Sequence, residues 1–297
     1  MKIDINNDLY PVSLKKIKNP PSTLYVQGNT NLLNSKSIAI VGSRSASNNG
    51  MIIAKQFAEQ LSKSGITIVS GLAIGIDTIA HTYSYQNKGK TIAVLGCGFN
   101  NLFPQENLEL YNNILANNGL IVSEYPPDEV ATSNHFRDRN RIISGLSSGV
   151  LIIEASCKSG TGITASRAKE QGKKIFAIPH EIWDIHGKGT NRLIKNGAML
   201  VTCTNDILKE LDFKNIELKY PVFKLAQTKK SSIRPKRIVS FSDEKQAKIY
   251  SLLSNLPTSI NELVLKSGYS ITEISSSLFL LELNDYIKKV EGGYICI

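Results

Sequence analysis

The sequence predicts an α/β protein: an extended Rossmann-like, mostly parallel sheet with helices on both faces, plus a small C-terminal winged-helix domain. Three observations carry this. Seven short runs of β-branched and apolar residues recur over the first two thirds of the chain without polar alternation, as in strands covered on both faces. Helical stretches separate those runs. After Leu211 the alternation stops, and a stretch rich in lysine leads to three short helical segments and a Gly-Gly turn.

The strand runs are IAIVG (38–42), ITIVS (66–70), TIAVLG (91–96), LIVSEY (120–125), VLIIEA (150–155), KIFAIP (174–179) and AMLVT (198–202). A helix such as AKQFAEQLSKSG (54–65) ends in lysine and then glycine, where a helix caps. Strand–helix alternation of this length means a parallel sheet, with ligands expected outside the carboxyl ends of the strands. The predicted organisation is a Rossmann-like domain over 1–213, with a short N-terminal extension over 1–36, a basic linker over 214–241 and a winged helix over 242–297. DEKQAKIYSLL, SINELVLKSG and ITEISSSLFLLEL are its three helices, and YIKKVEGGYICI reads as its hairpin.

Composition narrows the class. Of the 297 residues, 41% are hydrophobic and 20% charged, as in an ordinary globular protein. No apolar run approaches the roughly 20 residues a membrane span needs. MKIDINNDLYPV carries acids and asparagines where a signal peptide needs an apolar stretch. The four cysteines (Cys97, Cys157, Cys203 and Cys296) are scattered singly, which reads as buried thiols in a reducing cytoplasm. The net charge of +10 is unevenly spread. Residues 1–213 hold 22 basic against 17 acidic side chains, 214–241 hold 8 against 1, and 242–297 hold 5 against 7. A basic body facing an anionic partner is one reading of this; an ordinary basic cytoplasmic protein is the other.

Glycine follows three strands. Gly42-Ser43-Arg44 comes after the first, Ser70-Gly71 opens the loop after the second, and Lys158-Ser159-Gly160-Thr161-Gly162 follows the fifth. Such loops leave backbone N–H groups open at helix N-termini, which suits phosphate oxygens, although tight βα turns also need glycine. Nucleotide motifs fail: GxGxxG is absent, and Gly89-Lys90-Thr91 precedes its strand with Ser84 where a P-loop needs its first glycine. No cofactor is expected. His180 and His186 lack a third partner for a metal.

HFRDRNRIISG (135–145) sets Arg137, Arg139 and Arg141 two apart, with Asn140 among them, behind Phe136. Ile142, Ile143 and Leu146 form the core-facing stripe of a helix. The arginines form either an ion-pair network with Asp138 and Asp128, or a groove for a polyanion in which Phe136 offers a face to a base.

Five motifs in order carry a family resemblance: VGSR (41–44), SGLAIGIDTIAH (70–81), FRDRNRIISGLS (136–147), EASCKSGTGITA (154–165) and KGTNRLIKNGA (188–198). Together with the winged-helix tail they resemble the DNA-processing protein A (DprA/Smf) family across most of residues 10–210. The resemblance implies a dimer that binds single-stranded DNA in a basic pocket without catalysis, protects incoming strands and loads RecA recombinase during natural transformation. Carried over by motif, the pocket would comprise Gly42, Ser43 and Arg44, then Ser70 and Gly71, then Phe136 to Arg141, then Lys158, Ser159, Gly160 and Thr161. Phe136 would stack a base. The chain departs from the family pattern at Arg137, where proline is usual, at Thr161-Gly162, where the usual loop reads Ser-Leu, and in HEIWDIHGKG (180–189), a longer connection than usual. The helical domain that precedes this fold in some members is not expected here.

Two other readings stand beside this one. A nucleotide or phosphoribosyl hydrolase of the lysine-decarboxylase-like type would use Glu154 or Glu170 near Gly160-Thr161-Gly162, although Glu170 falls about two helical turns beyond the loop. A duplex-reading regulator would use the winged helix. Its third helix, however, offers Glu273 and Glu282 and no cation, which points to a protein contact.

Overall fold

The computed structural model describes residues 1–156, 160–213, 241, 243–254, 258–290 and 293–296. The chain divides into two compact units, Met1–Phe223 and Lys224–Ile297. Apart from Phe241, the expected linker lies outside the described residues, as do Cys157, Lys158 and Ser159.

In chain order the first unit runs β1 (Lys2–Asp4), α1 (Val12–Lys15), β2 (Thr23–Gly28), β3 (Ser37–Val41), α2 (Asn48–Lys63), β4 (Thr67–Ser70), α3 (Ile76–Gln86) and β5 (Thr91–Leu95). It continues α4 (Leu108–Ala116), β6 (Leu120–Ser123), α5 (Ser133–Leu146), β7 (Gly149–Ile152), α6 (Thr161–Glu170), β8 (Lys174–Ala177), α7 (Lys188–Lys195), β9 (Met199–Leu200) and α8 (Thr204–Glu210). The seven apolar runs are the seven strands β3 to β9. They lie in one sheet of order β1-β2-β6-β5-β4-β3-β7-β8-β9. Every pair from β6 to β9 is parallel, while β2 runs antiparallel to both β1 and β6.

The predicted N-terminal extension is therefore part of the sheet and closes one edge. Leu24 and Val26 of β2 turn into the core while their neighbours do not, the period-two burial of a half-covered strand. The parallel strands are buried on both faces. In β3, Ala39 and Val41 pack with Ile142, Ile143 and Leu146 of α5. Ile38 and Ile40 pack on the other side with Phe57 and Leu61 of α2.

The strand order decides where a ligand can sit. From β3 the chain proceeds outward through β4, β5 and β6; it then returns to place β7 on the other side of β3 and moves outward through β8 and β9. The loops after β3 and β7 therefore leave the sheet in opposite directions, and a crevice opens between them.

The second unit holds α9 (Glu244–Leu252), α10 (Ile260–Ser267), α11 (Ile271–Leu283), β10 (Ile287–Val290) and β11 (Gly293–Cys296). The two strands form the expected hairpin, Ile287 opposite Cys296. Ile249, Leu263, Ile274, Leu278 and Leu281 make its core. Ser270 caps α11 by accepting from the Glu273 amide, and Glu273 reaches back to the Ser270 amide at 3.0 Å. Lys245 lies 2.6 Å from the same carboxylate and, ahead of Ser270, pulls its pKa down to about 2. The exposed residues of α11 include Ile271, Phe279 and Leu283, an apolar rather than cationic surface. Among the described residues no helix is long and apolar enough to cross a membrane.

Candidate nucleic-acid interface

The crevice is an open cleft of about 940 Å³. Val41 to Ser45, after β3, form one wall. Gly160 to Thr164, at the start of α6, form the other, and Phe136, Arg137 and Asn140 of α5 close one side. Thr132 caps α5 by accepting from the His135 amide at 3.3 Å, so the first turn, carrying Phe136 and Arg137, starts at the cleft. Phe136 is half-buried. Its ring meets Phe103 at 5.6 Å between centroids and lies under the Arg44 guanidinium at 5.8 Å. Arg44 and Arg137 are exposed and have no ion-pair partner among the described residues, so the rim carries two uncompensated cations.

The loop walls are fixed by named bonds. The Thr161 hydroxyl donates to the Gly42 carbonyl at 3.1 Å, joining the two walls at their base. The Ile76 amide donates to Ser43 O at 3.2 Å. Gly75, at φ +87°, lies against the Ser43 and Arg44 carbonyls where any side chain would collide. At the N-terminus of α2, Ser47 accepts from the Gly50 amide at 3.0 Å while its own hydroxyl and amide donate to Glu154. Glu154 is fully buried. The carboxylate following β7 therefore holds the helix that follows β3, across the switch point.

Not every expected residue faces the cleft. Arg139 belongs to the cleft lining, against the Phe136 ring, but its guanidinium is committed inward: it is 5% exposed, donates to the carbonyls of Gly71 and Val94, and has buried Asp77 as the main charge supporting its own. Burial pulls its pKa down and Asp77 opposes that shift. Ser70 and Gly71 are corrected to an internal role. Ser70 is fully buried and donates to Ile40 O at 2.6 Å, and Gly71 packs directly on the Arg139 guanidinium. Arg141 belongs to the ion-pair reading instead, with Glu124 in place of Asp138 and Asp128 as the partner. Its two terminal nitrogens donate to Glu124 at 2.8 and 2.6 Å and its Nε donates to Asn19 O at 2.9 Å. Burial opposes its charge, but those bonds and the Glu124 charge prevail and its pKa rises.

The loop after β4 is a clamped support rather than a phosphate cradle. The Gly71 amide donates to Asp77 Oδ2 at 3.1 Å, the Leu72 amide to His81 Nε2 at 3.3 Å, and Asn107 Nδ2 donates to Leu72 O at 2.8 Å. Thr91 donates its hydroxyl to Ile68 O and so must accept from His81 Nδ1, 2.7 Å away; His81 is therefore the neutral Nδ1–H tautomer. Burial, with Arg139 adding to it, pushes the His81 pKa down to about 3. An unfolded histidine takes its proton near pH 6.5, so below that pH the unfolded chain binds one more proton and stability falls with pH. The expected loss from His81 is about 1.4 kcal/mol per pH unit between pH 6.5 and 3. Urea unfolding at pH 7 and pH 5.5 checks this: His81→Gln should have the shallower pH dependence, and equal slopes would refute it. Asp77, whose pKa burial raises, contributes with the opposite sign in both proteins and cancels from the comparison.

Two glycines at the cleft have no structural reason to be glycine. Among the described residues a Cβ at Gly160 or Gly162 would meet nothing within 4 Å, and neither residue has a positive φ. Their value is the open space above the α6 N-terminus. Gly162→Ala is expected to leave the melting temperature unchanged or raise it, by up to about 1 kcal/mol of helix propensity, while weakening any anion held there. Parallel melting and binding curves check this, and an unaltered affinity would return Gly162 to ordinary turn-making.

The model of the family described as DNA recombination-mediator protein A matches residues 2–212, and that of the DprA winged helix domain matches 234–293. The chain belongs to the DprA/Smf family. Protein Smf of Escherichia coli (strain K12) is 36% identical over 299 residues, covering 99% of this chain and 76% of that protein. DNA processing protein DprA of Streptococcus pneumoniae (strain ATCC BAA-255 / R6) is 44% identical over 209 residues, 70% of this chain and 73% of that one. A solved structure of DprA from Streptococcus pneumoniae superposes with a TM-score of 0.67 at 42% identity, covering 71% of this chain and 74% of that one. Another, of DNA processing protein A from Helicobacter pylori and described for that protein's single-stranded DNA binding mode, has a TM-score of 0.64 at 31% identity over 71% and 95% of the two chains. Measured on this DprA/Smf chain, reasoning from sequence missed Ser45, Ala73, Ser166 and Arg167 in the cleft lining and Phe103 beside Phe136. Ala73 lies inside the second motif, Ser45, Ser166 and Arg167 lie one or two residues past the end of a motif, and Phe103 lies in none; only the folded crevice brings them together.

His180 and His186 do not converge on a common ligand. His180 Nδ1 lies 3.0 Å from both Ile178 O and Thr190 Oγ1, and His186 Nδ1 lies 3.5 Å from Asp184. Among the described residues no group of three or more His, Cys, Asp or Glu side chains could hold a metal.

Proposed function

We propose that this chain is a non-enzymatic binder of single-stranded DNA that protects incoming strands and, as a homodimer, loads RecA recombinase onto them in natural transformation and recombination. The observation that carries the DNA part is the cleft at the switch point. An aromatic ring and two unneutralised guanidinium groups stand over a glycine-opened helix N-terminus. Ring faces accept any unpaired base, and phosphates meet Arg44, Arg137 and the backbone, so binding is indifferent to sequence. Lys158 and Ser159 complete the proposed pocket by motif position and lie outside the described residues. Family membership supports the Helicobacter pylori protein's ligand as this chain's ligand too.

The dimer and RecA parts are supported by family membership and by exposed apolar surface. In the 180–189 connection Ile182, Trp183 and Ile185 are 74%, 75% and 64% exposed, next to Glu181 and Asp184. Such a group fits a protein surface better than a phosphate chain.

The hydrolase reading needs a carboxylate free to act on substrate. Glu154 is buried and bonded to Ser47, and Glu170 pairs with Arg167 at 3.0 Å. Both are engaged elsewhere, which favours binding over catalysis.

The test is anisotropy of a fluorescent oligothymidylate against a matched duplex across a salt series. Tighter binding of the single strand is expected, with log affinity falling linearly in log salt by about 0.7 per phosphate engaged. No binding at low salt, preference for duplex, or release of free base from a nucleoside monophosphate would each overturn the proposal.

A further inference from the structure

A second groove of about 580 Å³ lies along the opposite flank of α6, between that helix, β8 and the α7–β9 turn. It adjoins the cleft: Gly162 and Ser166, both on the exposed side of α6, line both. The titratable groups in its lining are Lys169, Lys173, Lys174, Arg192 and Glu210. Glu210 is taken by Lys174 at 2.5 Å. Lys169, Lys173 and Arg192 have no ion-pair partner among the described residues. Three cations thus line a trough without a counterion, beside Ser156, Ser166 and Asn196, which can donate to phosphate oxygens.

We infer that a polynucleotide strand held in the cleft continues across the exposed face of α6 at Gly162 and Ser166, and that Lys169, Lys173 and Arg192 bind its phosphates in the second groove. This rests on the single-strand reading of the cleft. Several features make a strand the occupant. The two sites share a wall, so one connected ligand can enter both. From Gly162 to Lys169 is seven residues of helix, about 10 Å, a span that an extended backbone covers in about two nucleotides over the exposed, small residues Gly162 and Ser166. A small anion would not use three separated cations, whereas a chain with a charge on every unit would. Burial lowers the Lys173 pKa, and no carboxylate among the described residues compensates it, so a phosphate there would stabilise its charge.

The experiment compares wild type with Lys169→Ala/Lys173→Ala/Arg192→Ala on two fluorescent oligothymidylates, of about six and about twenty nucleotides, over a salt series. The expected result is unchanged affinity for the short strand. Affinity for the long strand should fall about tenfold or more, and its salt slope should shrink by about 2, near 0.7 for each of three phosphates. The charge-conserving variant Lys169→Arg/Lys173→Arg/Arg192→Lys should restore long-strand binding. Thermal melts confirm folding, and light scattering gives the oligomeric state. Four outcomes overturn the inference: no change with either strand, an equal loss with both, a long-strand loss without change of salt slope, or a loss that tracks conversion of dimer to monomer. The last would make the groove a contact between copies of this chain. If wild type binds neither strand, the single-strand reading of the cleft fails first, a result distinct from all of these.

Discussion

Arg139→Met is expected to lower the stability of the first unit by about 3–5 kcal/mol, because it leaves a buried charge partner and two carbonyls without their donor. Arg139 joins Gly71 O after β4 to Val94 O in β5, and it is the nearby positive charge that opposes the burial-driven rise in the Asp77 pKa. Methionine fills much of the volume but donates nothing. For a unit of this size the melting temperature should fall by roughly 10 °C, read by calorimetry or circular dichroism. Below its melting point the variant should keep the wild-type salt slope for single-strand binding, since Arg139 is buried and its Nη1 is already committed to the Gly71 and Val94 carbonyls. A stability loss under about 1 kcal/mol would show that these bonds contribute little.

Arg44→Glu is the complementary case, a large effect on binding with little on stability. Arg44 is exposed and touches only the Phe136 ring among its described partners. Losing one charge-assisted contact costs about 1.5–3 kcal/mol, and placing a carboxylate on the rim adds repulsion. Single-strand affinity should fall at least tenfold and up to several hundredfold at low salt, with the melting temperature within a degree or two of wild type. Anisotropy and melting curves on the same preparation check both halves. Unchanged affinity would remove Arg44 from the interface.

The parallel core of the sheet was legible because strands buried on both faces are apolar throughout, and nothing else in a chain of this composition looks like IAIVG or TIAVLG. The antiparallel edge was not. Lys2–Asp4 is too short for a pattern, and Thr23–Gly28 buries only Leu24 and Val26. The arginines teach a sharper lesson. Residues 139, 142, 143 and 146 stand at i, i+3, i+4 and i+7, so helix geometry alone places Arg139 on the buried stripe with Ile142, Ile143 and Leu146. Arg137, two residues away, points to the other side. Periodicity could thus have separated the two arginines, whereas the Glu124 partner of Arg141 comes from a distant strand end and leaves no local trace.

The Arg139 anchor also has a bearing on the order in which the chain folds. It spans 68 residues to Gly71 and 45 to Val94, and the pairing of β3 with β7 spans more still. Contacts so far apart in sequence close only after the intervening segments have collapsed. The crevice, whose two walls follow β3 and β7, therefore exists only once this longest-range pairing has closed.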